Sequence, residues 1–108
     1  MYQFKDPYII DFANVEHYLD MHNVIREALD LPDYYGNNWD SLWDCLTDMT
    51  GRKMHIQIFS LNVIERKFGK EAKILIDLFK KIKHYENDSY CDQIIIEIIN
   101  DNHSITLA

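Results

Sequence analysis

Apolar residues along this chain recur at two spacings, that of a strand and that of a helix, and the two alternate along its length. A short apolar run, Tyr8 to Phe12 after Pro7, predicts a first strand. Val15, Tyr18, Leu19, His22, Ile25, Ala28 and Leu29 then repeat at helical intervals, which predicts a helix over Val15 to Leu29, capped by Asn14, with that stripe turned inward. His22 on the stripe reads as a half-buried core histidine rather than a ligand. Pro32 closes this helix, because the residue before a proline avoids helical angles. A second helix follows from about Trp39 to Met49, with Asn37 or Asn38 as its N-cap and Leu42, Cys45, Leu46 and Met49 as its buried stripe.

Met54 to Phe59 alternates apolar Met54, Ile56 and Ile58 with polar His55 and Gln57, the pattern of a half-covered strand. Asn62 to Phe68 predicts a short helical turn. A longer amphipathic helix runs from Lys70 or Glu71 to about Tyr85, with Ile74, Leu75, Leu78, Phe79 and Ile82 facing in and lysines facing out, until Glu86 to Ser89 breaks it. Gln93 to Ile99, QIIIEII, is near-continuously apolar and suits a central or doubly covered strand. Strands separated by helices predict an α/β fold of two layers, a three-stranded parallel sheet packed against helices, in a single domain over residues 1–108. The tail after Asn100 either turns back, sending Ser104 to Leu107 along the sheet as an antiparallel edge strand, or frays.

The second helix separates into two unlike faces. Asp40, Asp44 and Thr47 lie opposite its buried stripe, flanked by Trp43 and Asp48, so acid and indole share the wet side. Asp40 alone would be ordinary, since the positive end of the helix dipole favours acids in the first turn. Asp44 and Asp48 fit that explanation poorly: they sit deeper in the helix, and like charges at i, i+4 repel by a few tenths of a kcal/mol. An exposed indole beside spaced carboxylates favours a surface kept for a partner over a merely solvated face. The loop Tyr34-Tyr35-Gly36-Asn37-Asn38 leads into the same helix and extends that surface, with Gly36 expected in backbone angles closed to other residues.

Charge sharpens the choice of partner. Eleven Lys and Arg against eighteen Asp and Glu give a net charge of −7, which repels nucleic acid and draws in a basic protein. The start MYQFKDPYII lacks the basic, long apolar and small-residue succession of a secretory leader, and no apolar stretch is long enough to span a bilayer, so a cytoplasmic protein is expected. Cys45 and Cys91 read as reduced core residues rather than a disulfide. His17, His22, His55, His84 and His103 show no zinc-binding interval, so no metal or cofactor is expected. Asp40 and Asp44, one turn apart on an exposed face with no convergent His or Lys, make a poor acid–base pair, which argues against an enzyme.

The run Leu31-Pro32, Tyr34-Tyr35-Gly36, Asn38, Asp40 and Leu42-Trp43-Asp44-Cys45-Leu46-Thr47 resembles the signature of the barstar family, small intracellular protein inhibitors of secreted bacterial ribonucleases of the barnase type. The resemblance extends back to Ile9-Ile10 and forward to Phe79 and Cys91-Asp92, leaving out the first few residues and the tail after Ile99. It implies an immunity-type protein, monomeric when free, whose acidic helix enters the active cleft of a basic ribonuclease and places carboxylates where RNA phosphates would sit. Asp44 would be the central acid, held by the enzyme's phosphate-binding arginines and catalytic histidine. Asp40 would take a neighbouring arginine, Tyr34 would lie against that histidine, and Trp43, Asn38 and Gly36 would complete the contact. The family's further acid in the last helix falls on Lys81 counted from Phe79, or on Glu86 if the register shifts, and Trp39 stands at the core edge where a leucine is frequent. An acidic adaptor of the same fold, bound to some other basic protein or toxin, is the alternative.

Overall fold

The computed structural model describes residues 7–32, 35–49, 54–83, 94–100 and 103–107. Among the described residues eight elements follow one another: β1 (Tyr8–Asp11), α1 (Tyr18–Leu29), α2 (Trp39–Met49), β2 (Met54–Phe59), α3 (Leu61–Lys67), α4 (Gly69–Lys83), β3 (Ile94–Asn100) and β4 (His103–Thr106). The strands form one sheet in the order β1-β2-β3-β4, with β1, β2 and β3 parallel and β4 antiparallel to β3. The α/β class stands, but the sheet has four strands where three were expected. The tail takes the edge-strand course because Leu107 anchors it: its side chain is buried, its N–H donates to the Ile96 carbonyl at 2.8 Å, and its own carbonyl accepts from the Lys83 ammonium.

Alternation decides what the sheet buries. Tyr8 and Ile10, Met54, Ile56 and Ile58, and Ile94, Ile96 and Ile98 point into the core, where α1, α3 and α4 supply Met21, Ile25, Leu61, Ile64, Leu75 and Phe79. The other face is open, with Ile9 52% and Ile95 37% exposed. β3 is therefore internal in the sheet but covered on one face only, not doubly covered as its run of isoleucines suggested. On that open face Glu97 joins His55 and Gln57 of β2, and these hydrogen bonds, led by His55, hold its carboxyl below the usual carboxylate range.

α1 begins at Tyr18 rather than Val15, and Asn14 is not its cap. The Asp20 carboxylate accepts the free N–H groups of His17 (2.9 Å) and Glu16 (3.2 Å), which fixes the first turn three residues late. The shift also turns the stripe: Met21, His22, Ile25 and Leu29 are buried, whereas Leu19 is 55% exposed and Tyr18 also reaches the surface. α3 and α4 start slightly earlier than expected; on α4 Ala72 joins the buried positions and Ile74 is only half-buried. The expected end of α4 near Tyr85, the breaking segment 86–89, Gln93, Cys91, the turn residues 101–102 and the side chain of Met49 lie outside the described residues. Among the described residues no helix is long and apolar enough to cross a membrane.

Candidate protein-binding surface on helix α2

The entry to α2 is built by three adjacent residues with separate tasks. Asn38 is the N-cap: its Oδ1 accepts the Ser41 N–H at 2.8 Å, its Nδ2 donates to the Gly36 carbonyl at 3.2 Å, and its carbonyl accepts the Leu42 N–H at 3.0 Å. Asn37 takes the left-handed backbone conformation, φ 53°, that had been expected of Gly36. At Gly36 a Cβ would lie 2.9 Å from Ser41 Oγ and 3.0 Å from Asn38 Nδ2, so a larger residue would push these side chains, the cap included, out of place. Asn37 itself reaches Asn23 of α1 through Nδ2 at 3.4 Å, and its Oδ1 is buried without a partner among the described residues.

Beyond this cap the helix presents the two faces its spacing implies. Leu42, Cys45 and Leu46 are buried. Asp40, Asp44 and Asp48 are exposed, and none of them makes an ion pair among the described residues. Trp43 and Thr47 are half-buried at the edges, with the Thr47 hydroxyl donating to the Asp44 carbonyl at 2.9 Å. Between α2 and α4 runs an open groove of about 590 Å³, in which Asp40 and Trp43 face Ile74, Asp77, Leu78 and Lys81. Lys81 thus lines the same groove as Asp40, from the α4 side, while Glu86 and Tyr34 lie outside the described residues.

Tyr35 departs from the surface role expected of it. Its ring is buried, 5% exposed, and its hydroxyl sits 2.7 Å from His22 Nδ1, with burial pushing the phenol well above its ordinary pKa. Trp39 proves to bridge core and rim: its ring lies 4.6 Å from that of His22, and its Nε1–H donates to Glu71 of α4 at 2.8 Å. The inward stripe of α1 flagged His22, but nothing in the chain's periodicity pairs it with Tyr35, or Trp39 with Glu71.

In this α/β fold α2 offers three exposed carboxylates, without an ion pair among the described residues, and a half-buried indole beside an open groove, a surface whose chemistry suits a protein partner. The chain belongs to the barstar family: the family profile described as "Barstar (barnase inhibitor)" matches residues 6–96. It is also 31% identical over 87 residues, covering 81% of this chain and 90% of the relative, to a Bacillus subtilis (strain 168) protein named "Putative ribonuclease inhibitor YrdF".

Proposed function

We propose that this chain inhibits a basic extracellular ribonuclease by laying α2 and the preceding loop into the enzyme's active cleft. The observation that carries the reading is the exposed acidic row Asp40, Asp44 and Asp48 beside Trp43, without an ion pair among the described residues, in a member of the barstar family with a relative named "Putative ribonuclease inhibitor YrdF". Arginine forks that hold RNA phosphates suit carboxylates equally well. Asp44, central on the face, takes the place of the phosphate nearest the catalytic groups; Asp40 meets a neighbouring arginine. Trp43, Thr47 and Asp48 border them, and Gly36, Asn37 and Asn38 bring the loop alongside, with Tyr34 against the catalytic histidine. Tyr35 serves from beneath. The protein is no enzyme in this reading: it works as a cytoplasmic monomer that protects the cell from its own secreted nuclease.

Lys81 on the groove wall favours one variation, an acidic adaptor of the same fold whose basic partner differs from barnase. Titrating barnase activity with the parent protein and its variants tests the reading. Asp44→Asn removes the charge that desolvated arginines require and should weaken inhibition at least about a hundredfold, roughly 3 kcal/mol. Asp40→Asn should act in the same direction. Asp11→Asn, on the open face of the sheet, should leave inhibition nearly unchanged. Equal inhibition by Asp44→Asn and the parent would sink the assignment. A parent that neither inhibits barnase nor retains a basic ribonuclease at low salt would sink the function.

A further inference from the structure

One fully buried polar side chain has no place in that contact. His22 lies on α1 with no exposed surface, yet it meets both ends of the presenting loop. Its Nδ1 is 2.7 Å from the hydroxyl of Tyr35, the residue before Gly36, and its ring packs 4.6 Å from that of Trp39, the first residue of α2. The Tyr18 hydroxyl, 3.2 Å from Nε2, occupies the second ring nitrogen. Gly36, Asn37 and Asn38 are thereby suspended between two anchors on one imidazole. Two further ties brace the same span from neighbouring helices: Asn23 of α1 to Asn37, and Glu71 of α4 to the Trp39 indole.

An aliphatic residue at position 22 would fill the core as well, but it would leave the Tyr35 hydroxyl buried and unpaired. The loop also needs outside support. Asn37 holds φ 53° with its Oδ1 buried and unpartnered among the described residues, a conformation that persists only when its surroundings enforce it. We propose that His22 is a positioning residue, which through Tyr35 and Trp39 holds the loop and the first turn of α2 in their binding geometry before any partner arrives. The proposal rests on the reading that this loop and helix are the ribonuclease contact. Ordering them during folding removes a cost that association would otherwise carry.

Amide hydrogen exchange tests the placement without a ligand. Tyr35, Ser41 and Leu42 each donate a backbone hydrogen bond in the loop and first turn, whereas Phe12 and Leu107 report on the sheet. In Tyr35→Phe and in His22→Leu the three loop amides should exchange about tenfold faster, with Phe12 and Leu107 unchanged. His22→Asn sets an amide group where Nδ1 lies and should restore protection at Tyr35. If His22→Leu does not fold, Tyr35→Phe decides alone. Loop amides that stay protected in a folded variant, or acceleration shared equally by Phe12 and Leu107, would overturn the positioning role. Barnase titration of the same variants reports separately on the proposed function: a parent that neither inhibits barnase nor retains a basic ribonuclease at low salt overturns that reading and leaves the exchange result to decide the positioning. A parent that inhibits alongside a loosened Tyr35→Phe of equal affinity overturns the claim that the positioning serves binding.

Discussion

Burial of His22 couples the molecule's stability to pH. Desolvation, only partly opposed by the charge of Glu71, holds its pKa below the ordinary value of 6.5, so the folded chain binds fewer protons at this site than the unfolded one. Stability from the neutral ring is therefore complete above about pH 6.5 and is lost as pH falls toward the lowered folded pKa. Glu97 and Asp20 have lowered pKa values for a different reason, hydrogen bonds to the carboxylate, and weaken the fold only in more acidic solution. Urea melts at pH 7.5 and 5.5 should show the parent losing stability, while His22→Asn, less stable at both, changes less between them. Identical pH dependence in the two proteins would mean that His22 does not titrate in this window. The same residue marks how far side-chain roles could be read from the chain. Its inward position was legible from helical spacing, but its partner Tyr35 looked like part of the surface, because a tyrosine in a polar loop carries no sign of which way it points. Likewise, backbone angles closed to other residues were expected of Gly36, when it is Asn37 that takes the left-handed φ, and a Cβ at Gly36 would crowd the side chains of Ser41 and Asn38.

Whole elements were more legible where a single physical signal dominated. The bounds of α2 and β2 follow from a clean helical stripe bounded by Asn38 and from strict alternation, respectively. α1 was misplaced at its start because Asn14 offers a stronger local cap signal than the true one, an acid in the first turn reaching back to two N–H groups. β4 hung on burial of a single leucine near the end of the chain, which no periodicity over so few residues reveals. The cap of α2 makes a direct test at this level. Asn38→Ala leaves the Ser41 N–H without its acceptor and should cost about 1 kcal/mol in urea unfolding, while Asn38→Asp, which keeps the acceptor oxygen, should cost far less. Because the same side chain ties to the Gly36 carbonyl, the alanine variant should also loosen the loop. No loss of stability in Asn38→Ala would show that the hydrogen bond to Ser41 does not hold the end of the helix.

The molecule measures 36 × 33 × 22 Å and carries a net charge of −7, so where its charge lies matters as much as how large it is. The screening length is about 10 Å at 0.1 M salt and about 3 Å at 1 M, shorter than any of these dimensions. A basic partner approaching α2 therefore feels Asp40, Asp44 and Asp48 nearly in full, and feels carboxylates on the far side of the sheet only weakly. If the acidic helix is the docking face, its association with barnase should slow by roughly an order of magnitude or more between 0.05 M and 1 M salt, while dissociation, governed by contacts already desolvated, changes much less. Two substitutions of equal charge separate local steering from the effect of net charge. Asp48→Asn, at the rim of the helix, should slow association at low salt, and the difference from the parent should vanish at 1 M. Asp11→Asn keeps the oxygen that accepts the Ala13 N–H at 3.0 Å and sits on the open face of the sheet, so it should associate at nearly the parental rate. Stopped-flow measurement of both variants across the salt range decides the matter. Were Asp11→Asn to slow association as much as Asp48→Asn, the partner would be drawn by net charge alone, and the acidic row on α2 would have no special part in recognition.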